Sequence, residues 1–241
     1  MTSFTTTDPA TGKTLETYER LAPQAIEEKL RDAHAAAQGW RTSSAGERAS
    51  ILHSVAAALR AQRETLAATA VAEMGKPIVQ ARAEVEKCAW CCDYFAENAQ
   101  AMLEQRPAKS DATLSYAAFR PLGAILAVMP WNFPYWQVIR AAAPALMAGN
   151  VMFLKHAENT TRCGLEIERI IREAGAPAGV FTTLLVSHDD AGTMIGDSRV
   201  AAVTLTGSER AGIAVATAAG KALKKCVLEL GGSDAFIVLA D

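Results

Sequence analysis

The residues able to do chemistry in this chain come as short polar groups, each following an apolar run. The first reads Met129-Pro130-Trp131-Asn132-Phe133-Pro134. Prolines on both sides restrict the backbone around the Trp and the Asn. A side-chain amide held rigidly can stabilise a developing oxyanion. The same Asn could equally cap the helix that follows. The second group is Lys155-His156-Ala157-Glu158, just past Val151-Met152-Phe153-Leu154. A Lys at a buried strand end with a carboxylate three residues on can hydrogen-bond a ribose diol; a surface ion pair uses the same two residues. The third is Thr206-Gly207-Ser208-Glu209-Arg210-Ala211-Gly212. The backbone N–H groups and hydroxyl of a Gly-Ser turn opening a helix suit a pyrophosphate. It is not the G-x-G-x-x-G fingerprint, and a plain helix N-cap fits as well. The fourth is Leu228-Glu229-Leu230-Gly231-Gly232. Glu229 is expected to be a buried carboxylate with a raised pKa, suited to general-base work near neutrality. The other reading is a Glu capped by the Gly-Gly backbone.

These groups need elements to position them. Strand-like runs fall at 124–129, 151–155, 180–185, 200–206 and 226–230, with helix-like segments at about 135–148, 160–174, 189–196 and 209–220. Strands alternating with helices predict an open parallel sheet, which binds ligands beyond the carboxyl ends of its strands. Residues 23–99 read as helices, broken at Gly75-Lys76-Pro77. Ile51, Leu52, Val55 and Leu59 form one stripe; Ile78, Ala81, Val85, Cys88, Cys92, Phe95 and Ala99 form another, with Pro77 in its first turn. Residues 1–20 are polar with a turn at Pro9–Gly12, and 110–120 look like a projecting extended arm. The last residues, Ala235 to Asp241, read as a buried strand.

Composition excludes several classes. With 24 Lys and Arg against 26 Asp and Glu, the net charge of −2 offers no pull toward nucleic acid or an anionic membrane. The N-terminus lacks the pattern of a signal peptide, and prolines interrupt the most apolar stretches well short of a membrane span. A cytoplasmic protein is expected. Five cysteines make a disulfide framework improbable. Cys88-Ala-Trp-Cys91 has no second ligand pair, so core packing is the expected role and no metal site is assigned. Cys226 is expected to be a buried structural thiol. The four histidines show no metal-ligand spacing.

Together the motifs resemble the aldehyde dehydrogenase family. The matches are Pro130-Trp131-Asn132-Phe133-Pro134, Ala143-Pro144-Ala145-Leu146 with Gly149-Asn150, Lys155 with Glu158, Thr206-Gly207-Ser208 with Gly212, and Glu229-Leu230-Gly231-Gly232, in the family's order. Leu154-Lys155-His156-Ala157 and the Lys224–Asp234 segment look most like bacterial NAD(P)-dependent succinate-semialdehyde dehydrogenases. His156-Ala157 stands where most of the family has Pro-Ser or Pro-Ala.

The resemblance implies an α/β fold: a Rossmann-like sheet with N-terminal helices and a hairpin arm. It divides the chain into 1–106, the helical part of a cofactor-binding domain; 107–121, an oligomerisation arm; 122–229, the NAD(P)-binding core; and 230–241, the start of a truncated catalytic domain. It implies that Asn132 supplies the oxyanion-hole amide and that Trp131 and Asn132 border the nicotinamide. Lys155 and Glu158 would hold the adenosine ribose, with His156 and Ala157 lining it. Gly207 and Ser208 would approach the pyrophosphate, Glu229 would activate the deacylating water, and Leu230 would touch the nicotinamide amide through its backbone. Arg140 would meet a semialdehyde carboxylate, or be a helix-surface Arg. The cofactor would be NAD, which Glu158 favours by repelling a 2′-phosphate, with NADP as the alternative. The partner would be a small aldehyde, and the full-length form a homodimer or homotetramer. The family's nucleophilic cysteine lies well beyond Glu-Leu-Gly-Gly; twelve residues follow Glu229 here and none is Cys. The chain alone is therefore expected to be inactive. The competing expectation is a non-catalytic nucleotide-binding or assembly module.

Overall fold

The computed structural model describes residues 3–239. Strands β1 (Ser3–Thr7) and β2 (Thr14–Glu19) pair as an antiparallel hairpin. Helices α1 (Pro23–Trp40), α2 (Ala45–Ala61), α3 (Arg63–Met74) and α4 (Ile78–Met102) follow. Strands β3 (Arg106–Pro107) and β4 (Tyr116–Ala117) form a short antiparallel pair at the expected arm. The alternating part comprises β5 (Ala124–Met129), α5 (Trp136–Met147), β6 (Val151–His156), α6 (Thr161–Glu173), β7 (Phe181–Thr183), α7 (His188–Gly196), β8 (Val200–Thr206), α8 (Glu209–Lys221) and β9 (Lys225–Glu229). A one-turn 3-10 helix, Glu158–Thr160, joins β6 to α6.

The five long-range strands lie in the order β7-β6-β5-β8-β9, all parallel. The chain steps outward from β5 to β7 and then returns to the other side of β5. Right-handed crossovers put α5 and α6 on one face and α7 and α8 on the other. The order reverses between β5 and β8, which is where such sheets open a crevice for ligands. Register fixes what meets there: Met129 is level with His156, and Thr206 with Glu229.

β6 has every residue buried, as a central parallel strand should. Helices α2 and α4 pack together and cover α5 and α6. Gly149 ends α5 with φ +83°, and a Cβ there would stand 2.9 Å from Pro121 Cγ, so only glycine fits. Beside it, Asn150 Oδ1 accepts from the amides of Leu122 (2.6 Å) and Gly123 (3.2 Å), setting the entry to β5.

Several expectations need correction. Pro77 is the N-cap of α4 and not a first-turn residue, and Ile78 is exposed at the stripe's end; Ala81, Val85, Cys88, Cys92 and Ala99 are buried as expected. The C-terminal segment forms no strand among the described residues: Phe236, Ile237, Val238 and Leu239 are exposed, while Ala240 and Asp241 lie outside the described residues. Among the described residues β9 is the open edge of the sheet, with no strand paired on its outer side.

Candidate functional site

The loop from Met129 to Tyr135 is held from beneath by buried charge. Lys76 Nζ donates to the Asn132 carbonyl (2.9 Å), lies 3.5 Å above the Phe133 ring and contacts Glu84 Oε2 at 2.6 Å. Glu84 Oε1 accepts from the amides of Tyr135 (2.8 Å) and Trp136 (2.9 Å). Lys76 and Glu84 are both buried. The carboxylate thus satisfies the free amides that open α5. This removes the helix-cap reading of Asn132. The N-cap of α5 is Tyr135, without a side-chain cap, and Asn132 does not cap it. The Asn132 side chain is exposed, with no hydrogen bond to the described residues, between exposed Trp131 and Phe133. Its backbone is fixed while its amide is free.

His156 completes the clamp. Its Nδ1 accepts from the Ala157 amide (2.9 Å), so Nε2 carries the proton and donates to the Pro134 carbonyl (2.9 Å). Burial pushes its pKa down to about 4, keeping it neutral. The ring packs on Gly164, where a Cβ would stand 3.1 Å from Cδ2. Both ring nitrogens are thus engaged inside the protein.

Lys155 is buried at the end of β6, and its ammonium makes no hydrogen bond or ion pair with the described residues. Burial lowers its pKa, opposed by the charge of Glu158. Solvent still reaches this ammonium, so water or a ligand can meet it. Glu158 does not pair with Lys155. Its Oε1 contacts Arg20 Nη1 at 2.8 Å, and Arg20 followed by Lys155 holds its carboxyl below the usual range.

At the end of β8, the Gly207 amide donates to the Glu229 carbonyl (3.0 Å), which spends it on the sheet. Ser208 is the N-cap of α8, its Oγ accepting from the Ala211 amide at 3.3 Å. The N-cap reading of Ser208 therefore holds, and the remaining first-turn amides are what an anion could use.

The expectation of a buried Glu229 is overturned. Its side chain is 55% exposed, because β9 is the sheet's edge strand. The burial expected of this carboxylate is absent. Arg140 is more than a helix-surface Arg: Nη2 donates to Thr206 Oγ1 (2.8 Å), Nε to Gln137 Oε1 (2.7 Å), and Nη1 stands 3.8 Å from Glu229 Oε1. It spans the crevice between α5 and the ends of β8 and β9. Leu230 packs on Gly212, where a Cβ would come within 2.7 Å of its Cδ2.

Cys88, Cys91, Cys92 and Cys163 are buried, and burial raises the pKa of each thiol, of Cys91 to about 11. Cys226 is half-buried, with its pKa raised for the same reason. None is poised as a thiolate. Among the described residues no group of three His, Cys, Asp or Glu side chains converges as a metal site, and no helix is long and apolar enough to cross a membrane.

Lys76, Glu84 and Arg20 were not singled out from the sequence as site residues. The signal for Glu84 was available: it occupies a buried position of the Ala81–Val85–Cys88 stripe, where an acid must have a partner.

Fold and site together define a nucleotide-binding type of α/β sheet, with a fixed loop, a buried ammonium and an open helix terminus at the carboxyl ends of its strands. The aldehyde dehydrogenase family model matches residues 1–241, and the chain belongs to that family. It is 49% identical over 234 residues to the succinate semialdehyde dehydrogenase Sad of Escherichia coli (strain K12), whose name specifies NAD(P)+, covering 97% of this chain and 51% of that protein. It is 48% identical to a probable NADP+ succinate-semialdehyde dehydrogenase of Synechocystis sp. (strain ATCC 27184 / PCC 6803 / Kazusa), covering 99% and 53%. The crystal structure of succinic semialdehyde dehydrogenase from Streptococcus pyogenes with NADP+ superposes with a TM-score of 0.94 at 42% identity, covering 99% of this chain and 52% of that one. The chain spans about half the length of these relatives.

Proposed function

We propose that this chain is the cofactor-binding portion of an NAD(P)-dependent enzyme that oxidises an aldehyde, succinic semialdehyde foremost, to the acid. The observation that carries this reading is the Lys155 ammonium, at the carboxyl end of a fully buried strand and without a partner among the described residues, one strand from the point where strand order reverses. Lys155 and Glu158 would hold the adenosine ribose, and the α8 terminus at Gly207 and Ser208 the pyrophosphate. His156 and Ala157 shape that pocket from below: the imidazole braces the turn and the Ala157 amide donates to the Met129 carbonyl (3.0 Å). Trp131, Asn132 and the Leu230 backbone would border the nicotinamide, which when bound supplies the hydride acceptor.

The fixed loop leaves the Asn132 amide exposed and unbonded, and in this reading it would donate to the oxygen of the reacting carbonyl. Glu229 would take a proton from water, and Arg140 would meet the far carboxylate of a semialdehyde. Because none of the five cysteines is exposed as a thiolate, the 241-residue chain alone does not turn over aldehyde in this reading. A self-contained module is the weaker alternative, since Val227, Leu230, Phe236, Ile237, Val238 and Leu239 leave apolar surface in solvent. The β3–β4 arm is assigned to assembly of the longer enzyme as a dimer or tetramer.

Calorimetric titration of the chain with NAD tests the reading. Saturable binding that is lost in Lys155→Met, with the fold retained by circular dichroism, supports it. Binding unaffected by that change, or measurable oxidation of succinic semialdehyde by the chain alone, refutes the corresponding part.

A further inference from the structure

The Lys155–Glu158 pocket contains a second cation that its sequence motif does not announce. Arg20 arrives from the end of β2, far from Glu158 in the chain. Its Nη1 lies 2.8 Å from Glu158 Oε1, with only 17% of the Arg20 side chain exposed. The guanidinium stacks 4.8 Å from the Phe4 ring centre, and Phe4 stacks in turn on Tyr18 at 5.5 Å. Arg20 is therefore held in place by the N-terminal hairpin as well as by the carboxylate. Its Nη1 is shut off from solvent against the Glu158 carboxylate, while Nε and Nη2 make no hydrogen bond with the described residues and stay within reach of solvent.

A carboxylate at this position repels a 2′-phosphate when it stands alone. Here it does not stand alone. Lys155 and Arg20 give two positive charges against the one negative charge of Glu158. His188, at the first residue of α7, feels both cations, which lower its pKa, so it adds no further positive charge near neutrality.

Resting on the nucleotide-binding reading above, we propose that Arg20 is a specificity-determining residue that neutralises Glu158 and offers its free N–H groups to a 2′-phosphate, so that the site takes NADP as well as NAD. Guanidinium is the group best suited to a phosphate oxygen pair.

The test is calorimetric titration of the chain and its variants with NAD, NADP and adenosine 2′,5′-bisphosphate. Arg20→Gln is expected to weaken NADP and the bisphosphate about tenfold, the size of one charged hydrogen bond, while NAD changes by less than about threefold. Arg20→Lys should keep most of the NADP affinity. Adding Glu158→Gln to Arg20→Gln should recover it, which a merely structural Arg20 would not allow. Equal weakening of NAD and NADP in Arg20→Gln, or an unchanged ratio, overturns the inference while leaving the nucleotide reading intact. Should Arg20→Gln fold poorly, the ratio in Arg20→Lys decides: about a tenfold loss of NADP binding with NAD binding kept overturns the charge argument. Wild-type chain that binds neither dinucleotide overturns both readings.

Discussion

The Glu73 carboxylate accepts from the Cys163 amide at 3.0 Å and from the Arg162 amide at 2.9 Å, closing the first turn of α6 with an acid from the end of α3. Glu84 does the same for α5, and Ser187 with Asp190 forms a capping box on α7. In α8 the neutral Ser208 hydroxyl accepts from the Ala211 amide, while the first-turn acid Glu209 makes no hydrogen bond to the helix's opening amides among the described residues. Three of the four crossover helices thus have a carboxylate of the protein hydrogen-bonded to the amides at the end that attracts anions. This supports placing the pyrophosphate of the proposed cofactor at α8.

Removing the Glu73 plug should cost stability. In Glu73→Ala two amides lose their acceptors in a buried place, which costs about 2–4 kcal/mol. Glu73→Gln keeps one acceptor oxygen and should cost roughly half as much. Urea denaturation of the two variants against wild type measures the difference. Equal midpoints for all three would show that water or another group satisfies these amides.

The Lys76–Glu84 pair should behave as a buried unit. Lys76→Met leaves a buried carboxylate without its counter-charge and is expected to cost about 3–5 kcal/mol. Combining it with Glu84→Gln removes the stranded charge and should recover part of that loss, since Gln still accepts from the amides of Tyr135 and Trp136. A double-mutant cycle on unfolding free energies gives the coupling; additive losses would mean the two side chains act independently.

Alternation of strands and helices made the sheet legible in the sequence, because a parallel strand buried on both faces is a run of apolar residues. β5 and β8 have the expected bounds and β6 extends by one residue, to His156. Glu229 was misjudged for a physical reason: an apolar run shows that a strand prefers burial, not that a neighbour exists to bury it. β9 is the edge strand and lies open. The supports of the site were less visible still. Glu73 and Glu84 sit in helices and Lys76 in the break between them, and the backbone groups that the three side chains hold lie more than fifty residues away. Arg20 sits in a polar stretch with no periodic signal. Long-range pairing of this kind leaves no local spacing to read.

Gly212 offers a test of how Leu230 is seated. A Cβ at Gly212 would stand 2.7 Å from Leu230 Cδ2, so Gly212→Ala must push that side chain away. Leu230 is 43% exposed and can move, while Ala is the better helix former by about 1 kcal/mol. Thermal stability should therefore change little. Dinucleotide affinity should fall if the Leu230 backbone contributes to the proposed nicotinamide site. Lower stability with unchanged affinity would instead make Gly212 a packing residue alone.

His156 gives the chain a pH dependence with a definite sign. Its folded pKa of about 4 lies below the ordinary value of 6.5, so the unfolded chain takes up a proton that the folded chain refuses. Stability from this group is complete above pH 6.5 and falls as pH drops toward 4, below which the loss levels off. At pH 5 the cost is about 2 kcal/mol. His188 and the buried carboxylates also titrate, so the wild-type curve alone does not isolate His156. His156→Gln removes the ionisation while keeping an amide able to reach Pro134. Unfolding free energies at pH 7.5 and pH 5 should differ by about 2 kcal/mol less in the variant than in wild type. The same gap in both proteins would show that the imidazole is protonated within the fold and that the Pro134–His156–Ala157 clamp opens to accept the charge.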